Sequence, residues 1–246
     1  MPHKNLGQFN KSLKINHPIL GIHFLHQLPK NIKRYQDTAC TALARVFFSK
    51  EILAFGAKKY YQLCPGGNYF LKLSDINDEV AADVYVNDEH IFKNRGVCHK
   101  FLKSLPKFPN HLKGKFILLK PLGKNDQPDV IVMLINPAQA GRIIGLLNYE
   151  KYDEIKIHPN QPTCLSFFSP LITNLPHLNF IDYYDRYYQG KIHGKYIWPE
   201  NKMLISMKFK QFKKILDNLN KSPQGGYKRT GIKTQKVDYI CYNCSN

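Results

Sequence analysis

Apolar positions in this chain follow two rhythms. Short, largely apolar runs occupy residues 19–25, 116–119, 130–135 and 203–207. Runs of this length between turn-forming residues read as strands, and the unbroken run 130–135 suits a buried one. Residues 83–86 read as a further short strand. Elsewhere the apolar residues recur at helical spacing. Residues 38–48 place Leu43, Ala44, Val46, Phe47 and Phe48 in one short helix. Residues 88–105 bring Ile91, Phe92, Phe101, Leu102 and Leu105 into helical register, although Gly96 weakens the segment. Residues 138–147 and 209–219 give two more helices. In the last, Phe209, Phe212, Ile215, Leu216 and Leu219 make one stripe, and Lys210, Lys213 and Lys214 face water.

Prolines and glycines punctuate these elements. Cys64-Pro65-Gly66-Gly67 is a sharp break, because Pro fixes one φ and the glycines free the next two. Asn136 suits a helix cap and Pro137 the first helical position. The span 83–147 thus reads strand, helix, strand, strand, helix. That order is most of a ferredoxin-like split βαβ unit. The predicted class is α+β, with an antiparallel or mixed sheet packed against helices. Residues 1–220 are expected to form one such domain. Residues 221–246, with Pro223, Gly225, Gly226 and Gly231 among basic residues, read as a basic tail.

Composition narrows the picture. Of 246 residues, 43% are hydrophobic and 13% aromatic, which excludes disorder for most of the chain. No apolar run is long enough for a membrane span. The N-terminus lacks the order of a secretory signal, so a cytoplasmic location is expected. The net charge of +18 attracts anions. Two partner classes follow: a small anionic ligand, or nucleic acid bound through a basic, aromatic-rich surface. The lysines are spread along the chain, which also suits a plain solvated surface, and no RNA-recognition signature occurs.

An ordered set of motifs adds to this. It comprises Pro18-Ile19-Leu20-Gly21-Ile22, Cys40 heading a helix, Cys64-Pro65-Gly66-Gly67, and Pro128-Asp129-Val130. Asn136-Pro137-Ala138-Gln139-Ala140 with Arg142, a lone Cys164, Asp185-Arg186 and a closing strand and helix from Met203 complete it. The set resembles the uncharacterised family known as domain of unknown function 169, over about residues 18–219. The resemblance brings no established reaction. It implies a Gly before the Asp-Arg pair, where this chain has Tyr184 in a Tyr-rich segment.

Within the resemblance, Cys40, Cys64 and Cys164 are the sharpest chemical feature. Thiolates are preferred ligands of iron–sulfur clusters and zinc. The expectation is an iron–sulfur cluster or other thiolate-bound metal on these three residues, with Gly66 and Gly67 letting amides approach it. Small buried thiols beside an ordinary turn are the alternative. The terminal Cys241-Tyr242-Asn243-Cys244 has metal-pair spacing but no second pair after it, and Cys98-His99 is only a speculative partner. Asn136, Gln139 and Arg142, at a helix start with open amides, are expected to contact an anionic ligand. Plain capping is the competing reading. Asp185 and Arg186 are the expected acid–base or positioning pair.

Overall fold

The computed structural model describes residues 6–32, 34–56, 65–152, 154–158, 162–189, 191–192 and 195–226. The chain opens with helix α1 (Leu6–Leu13), strand β1 (Leu20–Leu25), helix α2 (Ala39–Ser49) and strand β2 (Leu53–Gly56). Helices α3 (Pro65–Leu71), α4 (Asp78–Asp83) and α5 (Arg95–Ser104) follow, and α4 runs directly into a π-helical turn, Val84–Asp88. Strands β3 (Phe116–Pro121) and β4 (Val130–Ile135) lead to α6 (Pro137–Leu147) and β5 (Lys156–His158). A 3-10 segment (Thr163–Phe167), α7 (Ser169–Thr173) and β6 (His177–Asn179) precede a second π-helical turn, Asp185–Gln189. A small hairpin of β7 (Lys191–Ile192) and β8 (Lys195–Tyr196), then β9 (Met203–Lys208) and α8 (Phe209–Asn218), complete the order.

Seven strands form one mixed sheet in the order β2-β3-β1-β4-β9-β6-β5. All pairings are antiparallel except β5 with β6. The central strand β4 shows why its sequence is apolar throughout. Val130, Val132 and Leu134 enter one core, and Ile131, Met133 and Ile135 enter the other. A strand buried on both faces has no polar side to show.

The two cores have different builders. On the first face, α2, α3, the π-helical turn after α4, and α5 contribute Leu43, Phe47, Phe70, Tyr85 and Leu102, and the 3-10 segment adds Phe167. On the second, α1, α6 and α8 contribute Phe9, Ile143, Phe212, Ile215 and Leu216. Each such side chain is worth about 1.5–3 kcal/mol when fully buried. The α8 stripe is the one its periodicity predicts, with Lys210 and Lys213 exposed.

The α+β class stands, but the split βαβ order loses its first strand. Residues 83–86 are helical. Asn77 accepts from the Val80 amide, acidic Asp78 and Glu79 fill the first turn, and Ala81 and Ala82 carry the helix forward. These start signals outweigh the strand preference of Val84, Tyr85 and Val86. Helix α5 also starts later than its apolar pattern, at Arg95, because Asn94 caps it and His90 takes a left-handed φ of 52°.

The expected tail does not begin at once. Ser222 is buried and caps a 3-10 turn, Pro223–Gly225. Gly225 lies so near α8 that a Cβ there would sit 1.8 Å from the Leu219 carbonyl oxygen. Residues 227–246, with Cys241 and Cys244, lie outside the described residues. Among the described residues, no helix is long and apolar enough to cross a membrane.

Candidate binding site

Thr38 ends an extended segment and caps α2, its side chain accepting from the Thr41 amide. Cys40 therefore falls in the first turn of α2, where aligned peptide dipoles favour negative charge. Its thiol donates to Asp185 Oδ1 at 2.8 Å. The other carboxylate oxygen of Asp185 accepts from the Thr163 amide at 2.9 Å. Asp185 is buried and 145 residues from Cys40 in sequence, so only the fold makes this pair.

These groups line a small chamber of about 30 Å³. Cys164, Gly66 and Gly67 share its wall. Gly66 makes a close approach there: a Cβ would meet the Tyr85 hydroxyl at 3.0 Å and press that side chain aside. The fold therefore places Cys40, Cys164, Asp185 and the glycine pair around one space. Cys64 lies outside the described residues. Among the described residues, no group of three or more His, Cys, Asp or Glu is arranged to hold a metal ion.

The chamber adjoins a cavity of about 690 Å³, and the two share Tyr85, Glu89, Pro162, Asp182 and Tyr184 as walls. Phe92 and Phe101 give the larger cavity apolar surface, and Asp88 and His90 give it polar edges. Its size is within the usual range for small-molecule sites. The first π-helical turn meets it through Tyr85 and Asp88, while Asp182 and Tyr184 precede the second, whose Asp185 lines the small chamber. Such turns, rare in proteins, recur at functional sites because they redirect side chains that a regular helix would space otherwise.

Asp182 is the electrostatic oddity of the wall. Burial, then the neighbouring Asp185 carboxyl, push its pKa up to about 8, although the Asp185 amide donates to it at 2.8 Å. Two neighbouring carboxyls that are largely buried resist double ionisation. Asp182 is therefore held as a neutral acid near neutral pH. Burial likewise pushes the Tyr85 hydroxyl well above its ordinary value, so it stays a neutral hydrogen-bonding group.

The remaining predicted residues lie elsewhere. Asn136 and Gln139 close a reciprocal capping box, Asn136 Oδ1 accepting from the Gln139 amide at 2.8 Å and Gln139 Oε1 from the Asn136 amide at 2.9 Å. Gln139 Nε2 donates to the carbonyls of Leu13 and Lys14. Arg142 donates to the carbonyls of Ser12 and Gln224. This cluster ties α1 and the last turn to α6 on the second face of the sheet, so it does not meet the thiols. Arg186 also points away from the chamber. It donates to the carbonyls of Ile181, Trp198, Pro199 and Lys202, pinning the segment before β9.

Sequence reasoning missed Tyr85, Glu89 and Asp182. The signal for the first two was hidden by reading 83–86 as a strand. On a helix, Tyr85 and Glu89 fall one turn apart on one side. Asp182 and Asp185 have the same kind of spacing. The Tyr184 departure from the resemblance does fall on the cavity wall.

A family model for uncharacterised ArCR proteins, domain of unknown function 169, matches residues 8–218. The chain belongs to this family. No curated protein and no solved structure matches it. The family match runs from within α1 to the end of α8, so it includes every described residue of both chambers.

Proposed function

We propose that the two joined chambers are the binding site of a small organic ligand, with Cys40 and Asp185 at the narrow end. The observation that carries this reading is the junction itself. A cavity of about 690 Å³ opens beside a chamber where a thiol and a buried carboxyl are hydrogen-bonded at 2.8 Å. Concavity, aromatic lining and a few converging polar groups are the usual make-up of such sites. A neutral Asp182 next to the pair supplies a proton donor at the junction of the two spaces. Arg186 serves this reading only indirectly, by fixing the segment that carries Asp185.

The test is a melting-temperature screen against the low-mass fraction of a cell extract and its subfractions. Wild-type protein is expected to melt higher with at least one fraction. Ile91→Trp, which puts an indole into the wide cavity from a partly exposed position, is expected to lose that shift while melting normally alone. An unchanged shift in Ile91→Trp, or no shift with any fraction, contradicts the proposal.

A second reading is favoured by one specific observation: Cys40, Cys164 and the glycines that follow Cys64 share a chamber. Cys40, Cys64 and Cys164 would then hold a thiolate-bound metal, with the ligand beside it. The chamber's volume of about 30 Å³ suits a water-sized group or a single ion. It is small for a four-iron cluster, so the single ion is the preferred form. Anaerobic purification with elemental analysis distinguishes the forms. Stoichiometric zinc or iron lost in Cys164→Ser supports an ion, and absorbance near roughly 400 nm supports a cluster. Metal-free protein from metal-supplied anaerobic cells removes this second reading and leaves the first.

A further inference from the structure

We propose that the surface formed by α1, α6 and α8 docks double-stranded DNA through its phosphate backbone. This surface lies on the far side of the sheet from both chambers. It is therefore a second site, and it does not rest on the binding-site reading above.

The basic excess is unevenly placed. Residues 37–112, which build most of the first face, hold ten Lys or Arg and eight Asp or Glu. Residues 6–18, 136–150 and 208–226, which build the second, hold eight Lys or Arg and two acids, Glu150 and Asp217. Glu150 is already engaged, since it pairs with Lys221 at 3.0 Å. Residues 1–5 and 227–246 join the chain at Leu6 and Gly226, and both of these belong to this face. Leu6 packs on the second core, and a Cβ at Gly226 would lie 3.9 Å from Arg142 Nη2. Those two terminal stretches add five Lys or Arg against Asp238 alone. All these stretches together supply more than half of the net +18.

Helix register turns this charge outward. Helix α8 buries Phe209, Phe212, Ile215 and Leu216, so its other side shows Lys210, Lys213 and Lys214 at i, i+3 and i+4. Helix α1 buries Phe9 and Leu13 against the same core and exposes Lys11, with Lys14 exposed just after it. Two contacts hold α1 and α8 side by side. The Phe9 and Phe212 rings meet edge to face at 5.5 Å, and Gln8 Nε2 donates to Asn220 Oδ1. The lysines of both helices thus share one layer. Like charges one turn apart on a helix repel each other. A polyanion laid across them replaces that repulsion with attraction.

The rest of the surface selects among polyanions. Among the described residues of these three stretches, Tyr149 is the one exposed large apolar side chain. A helix that binds a bilayer surface inserts an apolar face. The apolar faces of α1 and α8 are spent on the core. Proteins that hold single strands stack bases on aromatic side chains. Duplex RNA is recognised in good part through its 2′-hydroxyls. Exposed ammonium groups instead match phosphates on the outside of a DNA duplex. Such contacts position a protein without reading sequence, and they release counterions.

Fluorescence anisotropy of a labelled DNA duplex of about 20 base pairs tests this with the full chain. With about four phosphates engaged, affinity is expected to fall about a hundredfold between about 50 and 200 mM salt. Lys210→Glu with Lys213→Glu is expected to weaken binding about tenfold or more at the lower salt and to flatten the salt slope by about two. Lys100→Glu with Lys103→Glu removes the same charge from exposed positions of α5, on the other face. It is expected to change affinity by less than about threefold, because charges beyond a Debye length are screened. Circular dichroism checks that both variants are folded. Equal losses in the two variants overturn the assignment to this face. No binding of the duplex at the lower salt overturns the proposal. So does tighter binding of a single strand, of duplex RNA of the same sequence, or of phosphatidylserine vesicles. The melting-temperature screen of the chambers reads a different site, so the two proposals fail separately.

Discussion

Two helix starts in this protein carry conspicuous polar residues, and they lie on opposite faces of one sheet. At the start of α6, Asn136, Gln139 and Arg142 spend their hydrogen-bonding groups on the capping box and on the carbonyls of Leu13, Lys14, Ser12 and Gln224. At the start of α2, Cys40 reaches a buried carboxyl that borders open space. The first arrangement closes the fold and the second opens onto a cavity. A helix start is thus scaffold or site according to where its neighbouring side chains point, and residue type alone does not distinguish them.

The comparison can be broken from the scaffold side first, where effects are largest. Gly225→Ala forces a Cβ to 1.8 Å from the Leu219 carbonyl oxygen, so the last turn must leave α8. A loss of about 3 kcal/mol or more is expected in urea unfolding, as for other substitutions that force the backbone to move. Gln139→Ala strips donors from the Leu13 and Lys14 carbonyls and opens the capping box. It is expected to cost about 2–3 kcal/mol. Neither variant should alter ligand response in the surviving folded protein. A ligand effect from Gln139→Ala would move the site to the α6 face.

Asp182 gives the next effect. Its folded pKa of about 8 exceeds its ordinary 3.8. Its contribution to stability is therefore whole below about pH 3.8 and is lost as pH rises through about 8. Asp182→Asn cannot ionise, yet its side-chain oxygen can still accept from the Asp185 amide. The variant is expected to flatten stability between about pH 5 and 9 and to exceed wild type by on the order of 1–2 kcal/mol at the alkaline end. Parallel pH profiles for the two proteins would contradict the buried-acid assignment.

Gly66→Ala is the smallest perturbation of the fold and a pointed one for the site. Its Cβ presses the Tyr85 hydroxyl at 3.0 Å, and Tyr85 is wall to both chambers. Stability should change by less than about 1 kcal/mol, since the contact is with the tip of one side chain. Ligand affinity should fall by about tenfold, because a wall residue has moved. A variant that binds as wild type would remove the glycine pair from the site.

What the sequence shows of this architecture depends on how local the physics is. Strand β4 and helices α6 and α8 are legible because their apolar spacing and caps lie within a dozen residues. The short strands β5 and β6 are not, because three residues carry no periodicity and their pairing partners lie far along the chain. The segment 83–86 misled because β-branched and aromatic residues sit just after a strong helix start. For the site, Cys40, Cys164, Gly66, Gly67 and Asp185 were visible as candidates. Their meeting was not, since the Cys40–Asp185 contact spans 145 residues. The carboxyls of the described wall, Asp88, Glu89 and Asp182, were hidden by a bulk charge of the opposite sign.

The central contrast between the two helix starts can be read in one measurement. Backbone amide chemical shifts are recorded with and without the low-mass extract fraction that raises the melting temperature. The largest changes are predicted at Tyr85, Glu89, Cys164, Asp182 and Asp185, with Asn136, Gln139 and Arg142 unmoved. Changes centred on Asn136, Gln139 and Arg142, with the Cys40 chamber silent, would contradict the account.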